Sequence, residues 1–205
     1  PLSGRCGMLL FGKFENAGVT HIFMPNIDST TIEPMLSVCD TYRDFCFPMI
    51  GLHPTSVNES YEKELEIVAA NLETSGRFVA VGEIGIDLYW DKTWLKEQLI
   101  AFEKQVQWAL HYQLPIVIHC REAFDYIYKV LQPYKNSGLT GIFHSFTGTP
   151  GEAVRMMEFP GFKIGINGVV TFKKSTLPET LKSVPLERIV LETDSPYLTP
   201  VPNRG

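Results

Sequence analysis

The chain has 205 residues, of which 44% are apolar, 20% charged and 12% aromatic, and its formal net charge is −5. These values belong to a folded globular chain and exclude a disordered tail, a collagen-like repeat and a polycationic coat for nucleic acid. The length suffices for a sizeable hydrophobic core.

No apolar run approaches the roughly 18 residues that a membrane span needs. The apolar stretch Met8 to Phe11 is also far too short for a secretory leader. The four cysteines, Cys6, Cys39, Cys46 and Cys120, form no C-x-x-C pair, which argues against a zinc knuckle or a thioredoxin-type motif. Free thiols in a chain of this size point to a reducing, cytoplasmic setting.

In chain order, short β-branched and aromatic runs alternate with longer amphipathic stretches. Thr20 to Pro25 reads as a strand and Thr30 to Thr41 as a helix. Phe47 to Leu52 is a strand, Glu59 to Glu73 a helix, and Phe78 to Ile86 a strand. Lys92 to Tyr112 is a long helix, with Leu95, Leu99, Phe102, Val106 and Leu110 at helical spacing. Leu114 to His119 is a strand followed by a helix over Ala123 to Leu131. Thr140 to His144 is a strand followed by a helix over Gly151 to Met157. Phe162 to Thr171 is a strand, Leu177 to Lys182 a short helix, and Ile189 to Leu191 starts a last strand.

The strands are continuously apolar rather than alternating, as a parallel sheet covered on both faces requires. Strand–helix alternation leaves two architectures, a doubly wound open sheet and a (β/α)₈ barrel. Polar residues at the strand ends favour the barrel. His53, Glu83, His119, His144, Asn167 and Asp194 recur at spacings of 23 to 36 residues, close to one βα unit each. A barrel gathers all its strand C-termini at one mouth, whereas an open sheet spreads them along a line. The expected fold is an α/β, distorted TIM (β/α)₈ barrel with about seven units visible, and residues 1–205 read as a single domain.

Each of these side chains has an ordinary reading on its own. Glu83, after the apolar run Phe78 to Gly82, could be a strand-end salt bridge. His119 and His144 could be hydrogen-bonded core histidines, and Asp194, followed by Ser195 and Pro196, could be a turn residue. Gathered at one mouth, one Glu, two His and one Asp have the donor types of a divalent metal site. A bound cation would also offset the cost of burying the Glu83 carboxylate.

Five motifs then occur in order: Gly51 to Pro54 (GLHP), Gly82 to Asp87 (GEIGID), Pro115 to Ala123 (PIVIHCREA), Phe143 to Gly148 (FHSFTG) and Leu191 to Leu198 (LETDSPYL), with Pro202 to Gly205 (PNRG) behind them. From about Ala17 to Gly205 the chain resembles the TatD family of metal-dependent deoxyribonucleases, within the amidohydrolase-like superfamily. The resemblance implies a distorted (β/α)₈ barrel with up to two divalent ions, Mg²⁺, Mn²⁺ or Zn²⁺, at its mouth. It implies Glu83 as the carboxylate shared between the ions. His119 and His144 would complete one site, and Asp194 would bind the other and orient the attacking water, so that Glu83 and Asp194 are the catalytic pair. His53 would lie beside the site, and Arg121 and Arg204 would meet substrate or brace neighbouring carboxylates.

The family's first-strand His-x-His is not found among His21, His53, His111, His119 and His144. The expectation is an incomplete barrel without that strand and without the last helix, in which one metal keeps its full side-chain set. A divalent ion lowers the pKa of bound water from 15.7 towards about 7, so the expected chemistry is hydrolysis of DNA phosphodiester bonds. The net charge argues against tight binding along a duplex and leaves single strands or ends as substrate. Lys92, Arg121, Lys173, Lys174 and Arg204 supply local cations, and Tyr89, Trp90, Phe172 and Tyr197 could stack on bases. Two rivals stand beside this reading: a small-molecule amide or lactone hydrolase using the same metals, and an inactive truncated barrel.

Overall fold

A computed structural model describes residues 12–14, 16–195 and 197–203. Strands β1 (Ile22–Pro25), β2 (Cys46–Ile50), β3 (Ala80–Asp87), β4 (Ile116–Arg121), β5 (Gly141–Phe143), β6 (Phe162–Ile166) and β7 (Ile189–Leu191) alternate with helices. The helices are α1 (Ser29–Thr41), α2 (Tyr61–Thr74), α3 (Leu95–His111), α4 (Phe124–Leu131), α5 (Pro150–Met156) and α6 (Leu177–Thr180).

The sheet order is β1-β2-β3-β4-β5-β6-β7, every adjacent pair parallel. Sequence neighbours are sheet neighbours throughout, so the strand order never reverses as a doubly wound sheet requires. Among the described residues the result is an open half-barrel of seven strands. Parallel pairing needs long crossovers, and the helices supply them. Local signals fix where two of these helices begin. Asp28 closes a capping box with Thr31 at the start of α1, and Thr149 closes one with Glu152 at the start of α5, with Pro150 in its first turn. The core between sheet and helices is built from Ile50, Val81, Ile84, Phe102, Ile116, Ile118, Ile127, Phe143, Phe159 and Ile164, all essentially inaccessible to solvent.

Three expectations change. Glu83 is not at the end of its strand but inside β3, which runs on to Asp87. The β3–β4 register shifts between Gly82 and Ile84, so Glu83 has no partner in the ladder, and this bulge turns its carboxylate to the mouth. The bulge depends on small residues. A Cβ at Gly82 would lie 2.6 Å from the Val117 side chain, and one at Gly85, whose φ is +144°, would strike the His119 carbonyl. Likewise β4 continues past His119 to Arg121. Finally, β6 stops at Ile166 rather than Thr171. There the Asn167 side chain accepts the Val169 N–H at 3.1 Å and starts a 3₁₀ turn over Gly168–Thr171.

The buried stripe of α3 also differs from the expected leucine stripe. It consists of Gln98, Ala101, Phe102, Gln105, Val106 and Ala109. Both glutamines reach backbone beyond the helix. Gln105 accepts the Leu52 N–H at 2.7 Å, and Gln98 accepts the Asp87 N–H at 2.8 Å. They therefore brace the chain just after β2 and at the end of β3, next to the mouth. Asn26 does the same after β1, donating to the Gly51 carbonyl and accepting the Gly51 N–H, both at 2.8 Å.

Cys39, Cys46 and Cys120 are free thiols, and Cys6 lies outside the described residues. Burial pushes the Cys46 thiol up to about 11 and the Cys120 thiol up to about 12. Among the described residues no helix is long and apolar enough to cross a membrane. The two edge strands expose apolar side chains: Phe23 on β1 is 59% accessible and Leu191 on β7 is 87% accessible.

Replacing Gln105 by Leu keeps the helix but leaves the buried Leu52 N–H without its acceptor. The expected loss is about 1–3 kcal/mol of folding stability. Urea unfolding at unchanged m-value measures it, and an unaltered midpoint would contradict the bracing role.

Candidate metal centre

The mouth is built by residues leaving successive strands. His53 follows β2 and caps the 3₁₀ turn Pro54–Ser56, where its Nδ1 faces the Thr55 N–H at 3.2 Å and the Thr55 Oγ1 at 2.7 Å. That leaves Nε2 towards Glu83, 3.6 Å from its Oε2. The His53 and His119 rings meet edge to face with centroids 4.6 Å apart. One ligand atom each from His53, Glu83 and His119 lies within 4.8 Å of the other two. This trio has the spacing of side chains able to share a metal ion.

His144, directly after β5, stands on the other side of Glu83, its Nε2 3.7 Å from Oε1. The same nitrogen lies 2.8 Å from Asp194 Oδ1, and Nδ1 lies 2.8 Å from Glu192 Oε2. The Ser145 N–H donates to the other oxygen of Glu192. Gly165 on β6 leaves room for that carboxylate, which any Cβ at this position would strike. Asn167 ties the arrangement together, donating to Ser145 Oγ at 2.6 Å and to Asp194 Oδ2 at 3.2 Å.

Asp87 supports the third imidazole. Its Oδ2 lies 2.8 Å from His119 Nε2, and its Oδ1 accepts the Tyr89 N–H at 3.0 Å. A carboxylate behind an imidazole fixes the ring's orientation and tautomer, a common arrangement behind metal-binding histidines.

The electrostatics follow from this crowding. Burial opposes a charge on His144, yet the hydrogen bonds to Asp194 and Glu192, with the charge of Glu83, push its pKa up to about 11. Burial would raise the Glu83 carboxyl, but the His53 hydrogen bond and the charges of His144, His53 and His119 hold it below the usual range. Asp194 is lowered in the same way: burial is outweighed by the hydrogen bond and charge of His144 and by the Ser145 contact. Asp87 is lowered against its burial by His119 and the Tyr89 N–H. The four carboxylates Glu83, Asp87, Glu192 and Asp194 outnumber the three imidazoles that they face. Excess negative charge beside neutralisable imidazoles is the donor chemistry of a divalent cation site.

Thus Glu83, His119, His144 and Asp194 do converge, together with His53. Arg121 lies at the rim with its guanidinium 3.8 Å from the centroid of the Tyr89 ring. Arg204 and Pro196 lie outside the described residues. Two carboxylates of the cluster, Asp87 and Glu192, were not singled out in the sequence, although each stands inside a motif. Glu192 could have been found by strand alternation, since it is two residues before Asp194 and faces the same side. Asp87 stands in the same relation to Tyr89 and four residues beyond Glu83, but the bulge hides its phase.

A family model described as TatD related DNase matches residues 9–205. The uncharacterized metal-dependent hydrolase YabD of Bacillus subtilis is 35% identical over 188 residues, which is 91% of this chain and 72% of that protein. A protein named 3'-5' ssDNA/RNA exonuclease TatD, from Pantoea sp. strain At-9b, is 32% identical over 190 residues, 92% of this chain and 72% of that one. The crystal structure of YjjV, a TatD homologue from Escherichia coli K12, superposes with a TM-score of 0.88 at 28% identity, covering 99% of this chain and 79% of that one. The seven parallel strands of the described residues match the fold of that structure. Matching over nearly its whole length, and with a mouth built of carboxylates and imidazoles, the chain belongs to the TatD family of metal-dependent hydrolases.

Proposed function

We propose that this chain hydrolyses phosphodiester bonds of single-stranded DNA or of DNA ends, with residues 1–205 working as one catalytic domain. The observation that carries the reading is the convergence of Glu83, three imidazoles and Asp194 at one mouth. The relative from Pantoea that bears the name of an ssDNA/RNA exonuclease supports this substrate class. The free thiols of Cys39, Cys46 and Cys120 support action in the cytoplasm.

In this reading Glu83, His119 and His53 would hold a divalent ion, and His144, on the other side of Glu83, would join them. Asp194 holds and orients the attacking water and accepts its proton, a role that suits a carboxyl kept ionised by its neighbours. A divalent ion bound here, Mg²⁺, Mn²⁺ or Zn²⁺, supplies acidity to water and charge to meet the phosphoryl oxygens. Glu192 and Asn167 keep His144 and Asp194 in register, and Asp87 keeps His119 in register. Arg121 and Arg204 supply positive charge to the substrate.

The test is a cleavage assay on end-labelled single-stranded oligonucleotides with metal-loaded protein, run beside amide and lactone substrates. Cleavage of the oligonucleotide is expected, and activity confined to the amides or lactones would contradict the reading. Glu83→Gln removes the shared carboxylate and is expected to abolish both metal uptake, by titration calorimetry, and cleavage. A variant that still binds metal as the parent does would overturn the role of Glu83.

Asp87→Ala probes the support behind His119. It is expected to lower metal affinity by about 10–100-fold. Calorimetry on a sample shown to be folded by circular dichroism measures it, and unchanged affinity would contradict the support.

A further inference from the structure

The segment after β3 carries a feature that hydrolysis does not use. Tyr89 is 50% accessible and Trp90 is 72% accessible, so neither ring is consumed by packing against α3. The two rings stand edge to face, with centroids 4.8 Å apart at 89°. Arg121 reaches over from the end of β4. Its guanidinium lies 3.8 Å from the Tyr89 centroid and 5.6 Å from that of Trp90. Its partners are these rings, and among the described residues no carboxylate lies within 4 Å of it; the nearby Lys92 faces Glu122 at 3.9 Å. A cation held on a ring face keeps its hydrogen-bonding edge available for an anion.

The group is tied rigidly to the candidate metal centre. Arg121 stands two residues beyond His119 on β4, on the same side of the strand, and opposite Asp87 in the ladder. Asp87 holds the Tyr89 N–H with one oxygen and the His119 ring with the other. Gln98 in turn fixes the Asp87 backbone from α3. The backbone that carries the exposed rings is therefore anchored through Asp87 beside the His119 imidazole.

We propose that Tyr89, Trp90 and Arg121 form a nucleotide subsite at the rim of the mouth, where the Trp90 indole stacks on a nucleobase of single-stranded substrate and Arg121 meets the adjoining phosphate. This deepens the nuclease reading and rests on it for the identity of the ligand. The pairing of an exposed π-face with an unpaired cation matches a nucleotide, which presents a π-face and an anion at neighbouring positions. It also answers an electrostatic need. The mouth is lined by carboxylates that repel phosphate, and Arg121 places a positive charge on the approach without neutralising it against a side-chain carboxylate. Tyr89 orients the guanidinium.

Binding and turnover are measured separately. Fluorescence anisotropy follows a labelled, cleavage-resistant phosphorothioate oligothymidylate, and an abasic strand of the same length, on metal-loaded parent, Trp90→Ala and Trp90→Phe proteins. The parent is expected to prefer the strand with bases. Trp90→Ala is expected to bind that strand about 5- to 100-fold more weakly and to lose the preference, while Trp90→Phe retains most of it. Melting curves confirm that each variant is folded. Equal binding of the base-bearing strand by the parent and Trp90→Ala overturns the subsite, as does a parent indifferent to the bases. Base-dependent binding through Trp90 in a protein that cleaves no oligonucleotide supports the subsite and rejects the nuclease reading alone.

Discussion

A partly buried carboxylate at a bulge, out of the ladder of its own strand, sets the terms for the rest of the molecule. Glu83 sits within β3, flanked by residues fully withdrawn from water, and leaving such a charge uncompensated costs several kcal/mol. Compensation comes from imidazoles delivered by three other segments, after β2, within β4 and after β5. Those imidazoles then need orienting partners of their own, and Thr55, Asp87, Glu192 and Asp194 provide them. The cluster that results holds four carboxylates against three imidazoles, a donor set that suits a divalent cation.

The fold serves this cluster through positions that look unrelated to it. The bulge at Glu83 exists because β3 and β4 approach closely at Gly82 and Gly85. Gln98 and Gln105 spend a buried helix face on holding two loops at the mouth rather than on apolar contact. Buried amides of this kind cost stability if their partners are lost, and they fix geometry when satisfied. Gly165 gives up a side chain so that the Glu192 carboxylate can lie over β6.

Much of this architecture can be read from the sequence. Continuous apolar runs separated by amphipathic stretches mark all seven strands and the helices between them, and the regular recurrence of His53, Glu83, His119, His144, Asn167 and Asp194 distinguishes a barrel from an open doubly wound sheet. What escapes is whatever depends on tertiary exceptions to periodicity. The buried glutamines of α3 break the apolar stripe, because their partners, Leu52 just after β2 and Asp87 at the end of β3, lie outside the helix. The bulge takes Glu83 out of the β3–β4 ladder without ending the strand, and Asn167 ends β6 early by capping a turn with its own side chain. Asp87 and Glu192 act on histidines 32 and 48 residues away, a relation that no local spacing encodes.

The most direct measurement is anomalous diffraction from crystals grown with Mn²⁺ or Zn²⁺, recorded at the metal's absorption edge. The charge argument predicts a peak in bonding contact with the Glu83 carboxylate and at least two of the neighbouring imidazoles. A well-ordered Glu83 with no metal beside it, and the ion bound elsewhere on the molecule, would contradict it.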